Sequence, residues 1–334
     1  MRITTLNVDD APSCRGAYAV LVACGDHARP WNSPPSFDAA LDQWRHPPPD
    51  MRVELWLAVE DNTVVGVATL EAPIRDNLDV AFVDVKVDPA HRNRGVGTRL
   101  QEHLRTRSRA LGRSLLIAEP VVPAGATDHP YRRFVEKHGF VLASTSLVRH
   151  LDLPVDDGLL DRLAADARPR WAGDYEVTSH FGSAPEELHE SLCALISLLD
   201  TEAPTGDVAF EPVVVTPEEY REQCAAAERR GYPRVISVAV ERGSGRVVAY
   251  SEAALPGEGT LARQRGTLVL PAHRGRRLGT AVKVANLRAL QARLVRPAVL
   301  TTNNATSNGP MVAINDALGF RAVEENSLFR ALLP

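Results

Sequence analysis

Pro89-Ala90-His91-Arg92-Asn93-Arg94-Gly95-Val96-Gly97-Thr98 recurs in the second half of the chain as Pro271-Ala272-His273-Arg274-Gly275-Arg276-Arg277-Leu278-Gly279-Thr280. Each copy follows an apolar stretch, Val80–Val87 or Thr267–Leu270, and precedes a helical pattern, marked in the first by Leu100, Leu104 and Leu111. A helix start carries unpaired backbone N–H groups and the positive end of the helix dipole, which suit phosphate oxygens. Gly95 and Gly97 allow close backbone approach, and Arg92 and Arg94 add charge. A single short glycine motif would read better as a plain tight turn. Its repetition at the same strand-to-helix junction points to phosphate binding. The loop is not G-x-x-x-x-G-K-[ST], so nucleoside-triphosphate hydrolysis has no support. Nor is it G-x-G-x-x-G followed at the right distance by an acidic residue.

The repeat extends outward. Each helical pattern leads to a second apolar run, Ser114–Ala118 or Ala298–Thr302, then a short helix ending in Gly139-Phe140 or Gly319-Phe320, and a closing strand. Each half also carries a hairpin. The first is Glu54–Val59 with Val64–Leu70 through Glu60-Asp61-Asn62-Thr63; the second is Val235–Val240 with Arg246–Ala253 through Gly243-Ser244-Gly245. A strand at Arg2–Val8 and helices near Ala11–Ala23 and Ser36–Trp44 open the first half. The expected architecture is α/β, two tandem domains each with a mixed sheet and helices on both faces. The boundaries read as 1–153 and 175–334, with 154–174 as a polar, Ala-rich linker.

Composition narrows the function classes. A length of 334 residues suits two domains, and 44% hydrophobic with 24% charged residues is that of a globular protein in water. A net charge of −4 gives no sign of a nucleic-acid partner. Only Lys86, Lys137 and Lys283 are lysines, a bias that with abundant Ala, Val and Pro suggests a GC-rich bacterial source. Cys14, Cys24, Cys193 and Cys224 form no C-x-x-C pair, so reduced thiols are expected and no metal site or disulfide. With neither a signal pattern nor a membrane-length apolar run, the expected location is the cytoplasm.

Arg92-Asn93-Arg94-Gly95-Val96-Gly97 resembles the R/Q-x-x-G-x-G/A pyrophosphate loop of the GNAT superfamily of N-acetyltransferases. The element order of both halves resembles that fold over nearly the whole chain, in the tandem arrangement of the mycothiol-synthase type. The resemblance implies acetyl-CoA as cofactor, acetyl transfer to an amine, and a pantetheine arm paired with the strand before the loop. That places Val85 and Val87, or Thr267 and Val269, along the arm. Arg92, Asn93, Arg94, Gly95, Val96, Gly97 and Thr98 then hold pyrophosphate, as do Arg274, Arg276, Arg277, Gly279 and Thr280. The family also places a cofactor-contacting asparagine twelve residues before the Phe of Gly-Phe, and often a tyrosine acid five residues before it. Asn308 matches the asparagine, but Asn315 stands at the tyrosine position; the first half has Asp128 and Val135 there, with Tyr131 one helical turn earlier.

Tyr131 and Asn315 are therefore the catalytic candidates, and Asn304 joins Asn308 as an expected cofactor contact. Asn304, Asn308 and Asn315 are the expected lining if acceptor chemistry occurs in the second half. No general base stands out. The family's early-strand carboxylate is replaced by Ala81 and Arg263, while Asp79, Asp84, Glu71 and Glu252 read better as solvated or salt-bridged acids. His91 and His273 suit either a phosphate or helix-start packing. Arg149-His150 shows no partner in the sequence. Ala203-Pro204-Thr205-Gly206-Asp207, with Glu218, Glu219 and Glu222, falls where the fold places substrate-facing helices. The expected activity is acetyl transfer to a primary amine of a small molecule, by a monomer or homodimer without nucleic-acid or membrane partners. A CoA-binding sensor or scaffold, or a protein or peptide acetyltransferase, are the alternatives.

Overall fold

The computed structural model describes residues 1–333 apart from 28, 30–33, 127, 200–210, 212 and 258. The chain divides into two compact units. The first comprises the described residues of Met1–Thr145 together with those from Asn326 onward; the second runs from Ser146 to Glu325.

In the first unit, β1 (Arg2–Thr5), α1 (Ala11–Asp26) and α2 (Phe37–Arg45) precede a hairpin of β2 (Met51–Glu60) and β3 (Thr63–Pro73). Asp61 and Asn62 both take positive φ, +46° and +59°, the primed turn that matches strand twist and that Asp and Asn tolerate best. Then follow β4 (Val80–Val87), α3 (Val96–Ala110), β5 (Leu115–Ala118), β6 (Val121–Pro123), α4 (Pro130–Lys137) and β7 (Val141–Leu153). Strand alternation assigns the faces. Leu57 and Val67 meet α1 and α2, whereas Trp56, Ala58 and Ala68 meet Leu100 and Leu104 of α3.

The second unit begins with α5 (Asp157–Ala167), β8 (Tyr175–Phe181), α6 (His189–Ser197) and α7 (Pro217–Arg229). After these come β9 (Arg234–Glu241), β10 (Val247–Ala254), β11 (Leu261–Val269), α8 (Leu278–Gln291), β12 (Ala298–Ala305), α9 (Gly309–Leu318) and β13 (Arg321–Leu332). Ile236, Val238 and Tyr250 pack under α6 and α7; Val235, Ala239 and Ala249 face the side covered by α8. The expected linker is not one. Its helix α5 buries Leu160 in the second unit's own core, with Leu159, Leu163 and Ala164 packed against it.

The closing strands correct the simple tandem reading. The sheet order in the first unit is β1-β2-β3-β4-β5-β13, and in the second β7-β12-β11-β10-β9-β8. The strand after α4 completes the second unit, with Leu153 opposite Ala298 and Ser146 opposite Ala305. The strand after α9 completes the first, with Phe329 opposite Ala118 and Leu332 opposite Leu115. Both sheets keep one sense pattern, antiparallel except for a single parallel pair, β4 with β5 and β11 with β12.

Candidate functional site

That parallel pair sets the geometry of each cleft. β4 is matched to β3 from Phe82 to Val87, yet it meets β5 only at Val80, Ala81 and Phe82. In the second unit β11 follows β10 as far as Val269 but meets β12 only at Leu261, Ala262 and Arg263. Beyond those residues the parallel neighbours part, leaving the far half of the central strand with a partner on one side only. The glycine loops lie at the ends of these two half-paired strands.

The loops are built alike. A short 3-10 turn, Pro89–His91 or Pro271–His273, carries the chain off the strand. Two left-handed residues follow in each, Asn93 (φ +61°) and Gly95 (φ +82°) in the first, Gly275 (φ +78°) and Arg277 (φ +58°) in the second. Gly95 and Arg277 are the residues from which α3 and α8 start, and neither start has a side-chain cap. The helices beginning at Phe37, Pro130, Asp157, Pro217 and Gly309 are capped by Ser36, His129, Asp156, Thr216 and Asn308. α1 and α6 likewise start without a side-chain cap. What sets α3 and α8 apart is the half-paired strand before each, beside which the first-turn N–H groups of Val96, Gly97 and Thr98, and of Leu278, Gly279 and Thr280, could meet an anion. A Cβ on Gly95 would meet nothing within 4 Å.

Several expected contacts are arranged differently. Gly97 is a packing glycine, since a Cβ there would lie 3.1 Å from Phe134 Cε2; Gly279 stands likewise 3.1 Å from Ile314 Cδ1. Arg92 Nε donates to the Val87 carbonyl at 3.1 Å, and its guanidinium lies 5.2 Å from the centre of the Tyr131 ring. Arg274 Nε donates to the Val269 carbonyl at 3.2 Å. The first arginine of each loop therefore braces the strand end instead of pointing outward. Burial holds the Cys24 thiol up, and that thiol also donates to the Val87 carbonyl, at 3.1 Å. Arg94 is exposed and makes no ion pair among the described residues. Arg276 is engaged, 3.3 Å from Asp174 and over the Tyr175 ring. Thr267 Oγ1 pairs with Ser251 Oγ at 2.9 Å, so its side chain is turned to β10.

Arg277 in the left-handed region carries a cost that glycine avoids, about 1 kcal/mol. Arg277→Gly is expected to stabilise the second unit by about that amount, read as a higher urea midpoint.

The remaining candidates also find places. His273 Nδ1 lies 2.9 Å from the Tyr175 hydroxyl and His91 Nδ1 3.4 Å from Asp88. Glu252 is buried between Arg234 and Arg265, each 3.2 Å from Oε1, which removes it as an unpaired base. Arg149 has a partner after all, Asp316 at 2.5 Å. Glu219 is spent in a capping box with Thr216. The stretch from Ala203 to Asp207 lies outside the described residues. Among the described residues no helix is long and apolar enough to cross a membrane, and all four cysteines are free.

The asparagines of the second unit are not all cleft lining. Asn308 Oδ1 caps α9 by accepting from Met311 N at 3.3 Å. Asn315 is fully buried, one layer behind Asn304, whose Oδ1 accepts from Asn315 Nδ2 at 2.5 Å. Behind Asn315 stands a residue that sequence reasoning passed over. Lys283 is 1% exposed and donates from Nζ to Asn315 Oδ1 at 2.5 Å. Met311 Sδ at 3.9 Å and the Phe320 ring at 5.2 Å complete its surroundings. Burial alone lowers its pKa to about 7. The signal in the sequence is slight: Lys283 stands between Val282 and Val284 in a helix that also carries Asn286, Arg288 and Gln291, and only Arg288 of these polar residues is exposed.

This burial makes a stability prediction. The unfolded lysine titrates near 10.5 and the folded one near 7, so between those values the unfolded chain holds a proton that the native state lacks. Stability from this group is highest above 10.5 and falls by about 1.4 kcal/mol per pH unit as pH drops through the window. Denaturant unfolding at pH 7.5, 8.5 and 9.5 should show this slope in the parent protein and not in Lys283→Met.

A repeated glycine loop at the end of a half-paired strand is the shared feature of the two units, and comparison with known proteins places this architecture among acyltransferases. Residues 52–142 match the family model described as Acetyltransferase (GNAT) domain, and the chain as a whole has the tandem GNAT fold. A tandem GNAT protein from the clavulanic acid biosynthesis pathway is 25% identical, with a TM-score of 0.77 over 100% of this chain and 98% of the other. A GCN5-related N-acetyltransferase from Sphaerobacter thermophilus shares the fold at 17% identity, TM-score 0.66, over 99% and 95% of the two chains. No curated protein matches in sequence.

Proposed function

We propose that the chain is an acetyl-CoA-dependent N-acetyltransferase acting on a primary amine of a small molecule in the cytoplasm, as a monomer or homodimer. The observation that carries this reading is the pairing, twice over, of an uncapped helix start with a strand that has lost its parallel neighbour. In the first unit the N–H groups of Val96, Gly97 and Thr98, with Asn93, Gly95 and Arg94, suit the pyrophosphate. The free side of β4 at Val85 and Val87 suits the pantetheine arm. The open space at Gly95 and the unpaired Arg94 make this the stronger cradle. Arg274, Arg276, Arg277, Gly279 and Thr280, with Thr267 and Val269, form a weaker counterpart.

Acetyl-CoA supplies an activated acetyl group when bound. The chain's own work is to hold it, to exclude water and to present donors to oxygen. Tyr131 is the candidate acid of the first unit, and its ring lies against the guanidinium of Arg92, whose Nε is held by the carbonyl that ends β4. In the second unit β11 carries a bulge, because Ser251 faces Thr267 while Ala253 faces Gln264; a bulge re-aims backbone groups beside a site.

Calorimetric titration of acetyl-CoA into the protein tests the reading, and no binding would sink it. Thiol release across a panel of primary amines then separates the enzyme from a CoA sensor. The sensor reading draws on Val135 and Asn315, neither of which can act as the family's tyrosine acid.

A further inference from the structure

The Lys283–Asn315–Asn304 chain runs from the core of the second unit to the end of β12, where Asn304 is half-buried. That position lies past Thr301, the last residue of β12 matched to β11, and so at the parted end of the strand pair. Among the described residues the first unit has no equivalent chain. At the corresponding helix position it has Gln101, also buried, whose Nε2 finds no hydrogen-bond acceptor, and Val135 replaces Asn315. The lysine in the second unit thus serves no structural need shared by both copies.

A protonated lysine has three donors and no acceptor. It forces Asn315 to present Oδ1 inward and Nδ2 outward, and Asn315 in turn forces the same orientation on Asn304. The direction of both amides, which side-chain shape alone leaves open, is set by the cation at the inner end. We infer that Lys283 and Asn315 are positioning residues that hold Asn304 as an N–H donor toward a carbonyl oxygen of a ligand in the second unit's cleft. This rests on the proposed function for the ligand's identity, the acetyl thioester of acetyl-CoA. When Lys283 loses its proton, Nζ becomes able to accept, both amides can reverse, and Asn304 turns an oxygen toward a ligand that needs a donor. No charged side chain on α8, α9 or the Phe320 side shifts Lys283, since burial is the one cause acting on it.

The test uses the full chain carrying Gly97→Glu, which disables the first cradle and leaves only the second to be read. Acetyl-CoA affinity is measured calorimetrically at pH 6 and pH 9, with and without Lys283→Met. Comparing the two proteins at each pH cancels ionisation of the ligand. At pH 6 the added substitution should weaken binding about tenfold, and at pH 9 less than about twofold. Asn304→Asp, the same shape without the donor, should reproduce the loss at pH 6 and does not depend on a core substitution folding. Equal affinity of these proteins at pH 6, or equal losses at both pH values, would overturn the relay and leave the proposed function intact. Binding by the unaltered chain but none in the Gly97→Glu background would also overturn it, because the second cleft would hold no acetyl-CoA. No binding by the unaltered chain would overturn both readings.

Discussion

Gly97→Glu is expected to weaken acetyl-CoA binding by more than about a hundredfold. A Cβ at residue 97 would face Phe134 Cε2 at 3.1 Å and Val87 Cγ2 at 3.6 Å, so the new side chain enters the cleft between the end of β4 and α4. Its carboxylate would then stand beside the open N–H groups of the first turn of α3. Two like charges about 5 Å apart repel by about 3 kcal/mol at an effective dielectric near 20, which is the expected loss. The Cβ alone asks the phenyl ring to give by a few tenths of an ångström, and thermal unfolding checks that the fold survives the rest of the side chain. Arg94→Glu is the companion variant, since Arg94 is exposed and its replacement disturbs no packing. It should cost about tenfold through charge alone. Gly279→Glu should change total binding less, because Arg276 of that loop is already held by Asp174. Titration of the three variants decides the matter: affinity of Gly97→Glu within threefold of the parent would remove the first loop from the cofactor site.

The repeat was legible because it joins two periodicities at a glycine turn, and β4 spans Val80–Val87 as its apolar run does. The start of β11 was not. Arg263, Gln264 and Arg265 interrupt the apolar pattern there because Arg265 bridges to Glu252 and Gln264 Nε2 donates to the Glu252 carbonyl at 2.6 Å. The direction of Arg92 and Arg274 was also beyond the sequence. A basic residue beside a glycine reads as a phosphate ligand, whereas here each Nε finds the carbonyl that ends the preceding strand. Two left-handed positions per loop reconcile Arg277 with the pattern. Each loop has one glycine and one other residue there, in opposite order, so the geometry persists where the motif does not. Lys283 is a further case, a buried residue whose partner, Asn315, comes from a different helix.

Phe329→Ala should destabilise the first unit by about 4 kcal/mol, although residue 329 lies at the far end of the chain from that unit's loop. Phe329 is 1% exposed and packs in the same cluster as Leu100, Leu104, Leu116 and Phe140. Ala331 and Leu333 alternate with it onto that face, as a half-buried strand requires. Alternation alone tells a strand which face to bury, but not which sheet to join, so the sequence reading assigned β13 to the half that precedes it. Pairing of Phe329 with Ala118, Arg330 with Ile117, Ala331 with Leu116 and Leu332 with Leu115 assigns it elsewhere. β5 is the parallel neighbour from which β4 parts, so losing its other partner should loosen the cleft wall as well as the core. Denaturant unfolding followed by hydrogen exchange should show the loss at the amides of β4 and β5, with β9 and β10 protected as before. A fragment ending at Thr145 should then fail to reach the first unit's native stability. If that fragment folds cooperatively with the same denaturant midpoint, the last strand does not complete the first sheet.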